Sequence, residues 1–198
     1  MQTQQATYNF DLKDAALAYA VAAERILNDN IAFVEANEAF KPIIVSHLFQ
    51  SIEASLKHTG IASELFTSGE ARSPNTRSGH GVKELAMLAT DRLGSKDVRV
   101  LIMALTCQTQ DHHSQDILNK MIMSSAFERT RDAYAKRRLG YAEVRDGDFC
   151  IITPITSWIA SVKNVAHNLD YAVKVIRQWK ASPSQSTHFA VWFRALKA

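Results

Sequence analysis

The stretch that decides the fold is residues 42–60, PIIVSHLFQSIEASLKHTG. Val45, Leu48, Phe49, Ile52 and Leu56 recur at i, i+3, i+4, i+7 and i+11, which is one face of an α-helix and not the alternation of a strand. Pro42 suits the first turn, where its missing N–H costs nothing. Gly60 either ends this helix or starts a new turn, and residues 61–66 have room for one more. The same period returns on both sides. Leu12, Ala15, Ala16, Tyr19, Ala23, Ile26 and Leu27 predict a helix over 11–28 with Asp11 as its N-cap. Val82, Leu85, Ala86, Ala89 and Leu93 predict another that stops near Gly94. A further helix is expected over 115–138. Trp158, Val162, Val165, Leu169, Val173 and Ile176 predict a long one over 156–180, bracketed by Pro154 and Pro183.

Between these lie less regular segments. Residues 29–40 read as a connector with room for a short helix. Residues 98–105, VRVLIMAL, form a continuous apolar run that suits a buried helix or a buried strand. With helical neighbours and no partner strand in view, the helix is the preferred reading. Residues 67–81, TSGEARSPNTRSGHG, lack any apolar period and read as an exposed loop, and Asp146-Gly147-Asp148 carries turn chemistry.

Composition agrees with helix. There are only 7 glycines and 4 prolines in 198 residues. Hydrophobic residues at 46% and charged residues at 22% exclude disorder, and a chain of this length buries about 70% of its unfolded surface. No repeat or long linker divides it. The expected architecture is a single all-α domain over 1–198, an up-and-down bundle of five to seven helices. The tail, HFAVWFRALKA over 188–198, is too apolar to float free and either packs back or covers a partner subunit. No apolar run reaches the ~18 residues of a membrane span, and the opening MQTQQATYNFDLKD lacks the pattern of a secretory signal. Cys107 and Cys150 sit in apolar surroundings and read as buried thiols, not a disulfide framework. The cytoplasm is the expected location, with no membrane partner.

Glu53 and Lys57 stand four apart in the favourable order for a helical ion pair, worth roughly 0.3–0.5 kcal/mol at a surface. The wider string is LFQSIEASLKHTG, then a polar loop, then GHGVKEL. It resembles the HEPN domain (higher eukaryotes and prokaryotes nucleotide-binding), with Glu53, Lys57, His80 and Leu85 at the matching positions and Glu84 beside them. The resemblance is carried by residues 40–93 and extends more loosely over a core of about 40–180. It implies an up-and-down helical bundle that binds RNA or a nucleotide. It also implies a homodimer and a place in a bacterial stress or toxin–antitoxin system with a partner protein. The family's ribonucleases carry an Arg followed, after four to six intervening residues, by a His that moves a proton while the Arg steadies phosphate charge. No such pair is present. Arg77 lies too close to His80 and Arg72 too far from it, and His167 and His188 are remote from the arginines before them. Ribonuclease activity is therefore disfavoured.

Two binding candidates remain. Arg72, Arg77 and His80, near Glu53 and Lys57 in the pattern, could hold an anion or nucleotide beside a helix start; otherwise the arginines are solvated and His80 caps the helix. Residues 126–138, AFERTRDAYAKRR, carry five cations against two anions, and the remaining 18 basic and 18 acidic residues cancel. The net +3 of the protein thus sits in one segment. Arg131 and Arg138 share a helical face near Tyr134, and with Arg129, Lys136 and Arg137 could contact a phosphate backbone; the alternative is that the last-turn cations complement the helix dipole. A rival reading is an enzyme with His80 as acid or base, oriented by Glu53 or Glu84, and another is a non-catalytic adaptor. Asp111, His112, His113 and Asp116 are metal-like by type only, because adjacent histidines on a helix diverge by about 100°. Neither a metal nor a cofactor is expected.

Overall fold

A computed structural model describes residues 11–29, 31, 40–72, 81–108, 112–136, 139 and 154–181. Among these residues the chain is all α, as expected, with nine α-helices, one 3-10 turn and no strand. They are α1 (Leu12–Asn28), α2 (Phe40–Ala62), α3 (Ser68–Arg72), α4 (Val82–Arg92), α5 (Arg99–Leu105), α6 (His112–Met123), α7 (Glu128–Ala135), α8 (Ile155–His167) and α9 (Leu169–Ala181). The apolar run at 98–105 is helix. None of these helices is long and apolar enough to cross a membrane.

The helix count exceeds the expected five to seven for three local reasons. Ser124 adopts an extended conformation and accepts from the Ala126 N–H with its hydroxyl, so the helix expected over 115–138 breaks there into α6, a 3-10 turn (Ser125–Phe127) and α7. The helix expected over 156–180 breaks at Asn168, whose side-chain amide donates back to the Asn164 carbonyl. The third reason lies in the segment read as a loop from residue 67, whose opening is helical. Thr67 Oγ1 accepts from the Glu70 N–H and Glu70 Oε2 accepts from the Thr67 N–H, a reciprocal capping box that starts α3.

The central element is α2. Ile44, Val45, Leu48, Phe49, Ile52 and Leu56 are fully buried, because α1, α4, α8 and α9 all pack around it. It runs antiparallel to α1. Asp11 meets His58, the Ser51 hydroxyl donates to the Ala16 carbonyl at 2.7 Å, and Tyr19 stacks near His47. Ala15, Ala16, Ala20 and Ala23 line the facing side of α1, and their small side chains let the two backbones approach closely enough for the Ser51 bond.

The end of α2 is built from unusual parts. Leu65 N–H returns to the Gly60 carbonyl and Glu64 N–H to the Ile61 carbonyl, with Glu64 in the left-handed region at φ 57°. This is a Schellman stop whose usual glycine is replaced by Glu64. Gly60 therefore neither ends the helix nor starts a turn. It lies inside α2, and the Phe66 ring covers it so closely that an added Cβ would come within 1.9 Å of the ring. Cations of α9 satisfy the remaining carbonyls. Arg177 donates to Ala62 O, and Lys180 donates to Ser63 O and Glu64 O, which also complements the negative end of the α2 dipole.

Two opposite changes test this terminus. Gly60→Ala must displace the buried Phe66 and is expected to lower unfolding free energy by about 1–3 kcal/mol. Glu64→Gly relieves a left-handed side chain and is expected to raise it by about 1 kcal/mol. Urea denaturation of both variants reads the two signs.

At this same end of the α1–α2 pair, His58 Nδ1 lies 3.9 Å from Asp11 Oδ1, near the ion pair of Lys13 with Asp170. Burial pushes the His58 pKa down and outweighs the pull of Asp11 and Asp170. The folded protein therefore keeps His58 neutral at a pH where the unfolded chain binds a proton. The resulting penalty is absent above the unfolded pKa of about 6.5 and grows as pH falls below it towards the depressed folded value. In His58→Gln the fall in stability on acidification is expected to be shallower than in the native protein. An equal slope in both would remove His58 from the account.

Candidate functional site

Members of the two groups of residues that the sequence offered as separate candidates meet in the structure, Glu53 and Lys57 from one and Tyr134 from the other. Glu53 projects from the middle of α2 and is only 6% exposed. Tyr134 of α7 donates its hydroxyl to Glu53 Oε2 at 2.5 Å, and Lys57 donates to Glu53 Oε1 at 2.5 Å. Both carboxylate oxygens of a buried acid are thereby satisfied, one by a phenol and one by an ammonium. The Tyr134 ring stacks on Phe49, with centroids 5.3 Å apart, which fixes where its hydroxyl points. The Glu53–Lys57 pair is thus not the surface ion pair of its default reading.

One turn earlier on α7, Arg131 is also turned inward, at 9% exposure. Its Nη1 donates to the Met121 and Ser124 carbonyls at 3.1 and 3.0 Å. These groups close the C-terminal end of α6, so Arg131 acts as a cap from the following helix. Its Nε and Nη2 make no hydrogen bond among the described residues. Burial lowers the Arg131 pKa, against the opposing pull of Glu128 and Glu84.

The exposed basic face expected of residues 126–138 is therefore not formed by Arg131 and Tyr134. Phe127, Arg131 and Tyr134 recur at i, i+4 and i+7 and share the buried face of this segment. Arg129 is exposed, and Lys136 pairs with Asp132 at 2.8 Å. Arg137 and Arg138 lie outside the described residues, as do Arg77 and His80. Arg72 is exposed at the end of α3. His112 and His113 are exposed in the first turn of α6, and among the described residues no group of three His, Cys, Asp or Glu side chains is arranged to hold a metal ion. Cys107 is a buried free thiol, and Cys150 and the 188–198 tail fall outside the described residues.

Beside Tyr134 a cleft of about 230 Å³ opens between the start of α4 and α7. Gly81, Val82, Lys83 and Glu84 line it from one helix, and Glu128, Arg131, Asp132, Tyr134 and Ala135 from the other. Gly81 occupies the N-cap of α4 and has no side chain with which to cap it. The first N–H groups of α4 are thus left with no side-chain partner at the cap, and the positive end of its dipole faces the cleft. Among the described residues the side chains of Lys83, Glu84 and Glu128 form no ion pair or hydrogen bond. Neither Glu84 nor Glu128 pairs with Arg131, although both influence its titration.

The sequence pattern does not single out Lys83 and Glu128, which both line the cleft. Lys83 lay in plain view within GHGVKEL, but nothing local shows that its turn faces α7. The pairing of Tyr134 with Glu53 did have a signal, since Tyr134 shares a helical face with Phe127, and a tyrosine on an apolar face needs a polar partner inside. Comparisons with protein-family models, with curated proteins and with solved structures return no match, so the HEPN resemblance rests on the residues themselves.

Removing the Tyr134 hydroxyl leaves one oxygen of a buried carboxylate without its donor. Tyr134→Phe is expected to lower unfolding free energy by roughly 1–3 kcal/mol while preserving helix content. A loss under about 0.5 kcal/mol, the range of ordinary surface substitutions, would contradict the buried bond.

Proposed function

We propose that this protein is a HEPN-like nucleotide-binding protein whose ligand places a phosphate in the cleft between α4 and α7. One observation carries the reading. Glu53 and Lys57 of the HEPN-like pattern and Arg131 and Tyr134 of the basic segment converge beside a helix start whose N-cap is a glycine. Arg131 and Lys83 supply positive charge, and the first N–H groups of α4 supply donors, the combination that suits a phosphate. Glu53 does not face the ligand as a base. It is held by Lys57 and Tyr134, and it supports the site by fixing α7 against α2.

A small ligand is favoured over extended RNA. Of the cations in 126–138, Arg131 is buried at a helix end and Lys136 is paired with Asp132, so this part of the segment offers no continuous exposed track for a phosphate backbone. The cleft is also smaller than the ~300–1,000 Å³ of pockets for drug-sized ligands. It accommodates a phosphate with its sugar, leaving a base at the mouth. A role within a bacterial stress or toxin–antitoxin system, with a homodimer or partner protein, follows from the resemblance alone and belongs to the same proposal.

Isothermal titration of the full chain with adenosine monophosphate tests the reading. Binding is expected, and Lys83→Glu is expected to weaken it by about tenfold or more, a change of about 1.4 kcal/mol, without altering the thermal midpoint of the unliganded protein appreciably. A single-stranded RNA lacking a terminal phosphate is expected to bind more weakly than the mononucleotide. Tight RNA binding that survives Lys83→Glu would overturn the assignment.

A further inference from the structure

We infer that the cleft is selective for ligands carrying one phosphate, and that Glu84 and Glu128 are the residues that exclude di- and triphosphates. The inference rests on the nucleotide reading above and extends it to substrate class. Its ground is the way charge is layered in the cleft. Arg131, nine-tenths buried, forms the inner positive surface together with the start of α4. Glu84 and Glu128 are exposed and stand nearer solvent, one in the first turn of each helix. Asp132 is also exposed and lines the same cleft, but Lys136 offsets it.

The charges across this space are not neutralised by contact. Arg131 feels both carboxylates in its titration yet forms an ion pair with neither. Opposite charges that face one cavity without closing on each other leave a space for a group that complements both. A phosphate next to Arg131 and Lys83 supplies the negative part. Sugar hydroxyls supply donors to the carboxylates, as acidic residues accept from ribose hydroxyls in other nucleotide sites.

Chain length then becomes the selected property. A monophosphate carries close to two negative charges near neutral pH, which two cations and a helix N-terminus offset. Each additional phosphate adds negative charge that must lie beside Glu84 and Glu128 on the way out, with only exposed water to screen it. The carboxylates thus favour the sugar of a monophosphate and repel the tail of a polyphosphate by the same charge.

The test is titration of the full chain with AMP, ADP and ATP in the presence of a chelator, so that no divalent cation masks the phosphates. The native protein is expected to bind AMP at least about tenfold more tightly than ATP. In the Glu84→Gln, Glu128→Gln double variant the ATP affinity is expected to rise and the ratio to fall towards one. A dideoxy analogue of AMP lacking both ribose hydroxyls is expected to bind the native protein more weakly than AMP. Measurable AMP binding with ATP equal or tighter overturns the selectivity while leaving the nucleotide reading intact. An unchanged AMP-to-ATP ratio in the double variant removes the two carboxylates from the explanation, and failure of all three nucleotides to bind overturns both readings.

Discussion

A carboxylate inside a helical bundle constrains everything near it. Glu53 is carried by the central helix, where retreat to solvent is blocked, and a charged acid in such a place needs donors of its own. Lys57 supplies one from the next turn of α2. The other comes from Tyr134, 81 residues later in the chain, and α7 can deliver that hydroxyl in only one register, with the Tyr134 ring against Phe49. The register of α7 also sets Arg131. Once Tyr134 points at Glu53, Arg131 lies three residues back on the same face and reaches the open carbonyls of α6. A single buried acid thus orients one helix and, through it, closes the end of another.

The same principle governs the far end of α2. A helix surrounded on all sides cannot leave its last carbonyls to water. Arg177 and Lys180 of α9 bind them, while the Glu64 turn reverses the chain and lays Phe66 over Gly60. The C-terminal ends of α2 and α6 are therefore both capped by cations from other helices. Charges that look available in the sequence are already committed to backbone groups in the fold.

That commitment explains what could be read in advance and what could not. The 3.6-residue period of α1, α2 and α4 survives folding almost unchanged, because apolar spacing and burial are the same information. Asp11 caps α1 as its position suggests. The breaks at Ser124 and Asn168 were hidden because each depends on one side chain bonding its own backbone within a run of good helix formers. Thr67 and Glu70 carried a recognisable capping pattern, masked by the glycine, serine and proline that follow. Arg131 was the most misleading residue. Its charge argued for solvent, whereas its spacing from Phe127 and Tyr134 argued for the interior, and the open carbonyls of α6 decided in favour of spacing. No local pattern could have revealed that Lys83 and Glu84 face Glu128, since that depends on how two helices far apart in sequence are placed.

The charges of the cleft are arranged without closing on Arg131. Several acids and bases elsewhere do close on each other, as in Glu24 with Lys163, Glu70 with Arg92 and Asp116 with Lys120. Exposed pairs of this kind are worth only about 0–1 kcal/mol each, so leaving a few unmade costs the fold little. What keeps the cleft charges apart is the rigidity behind them. Arg131 is tethered by two backbone carbonyls, α7 is tethered by Tyr134, and Glu84 projects from a helix whose own face is buried against α2. A guanidinium held by two carbonyls keeps its Nε and Nη2 in place at the cleft. Such preorganisation lowers the ordering cost of binding, and it originates in the same buried acid that fixes the register of α7.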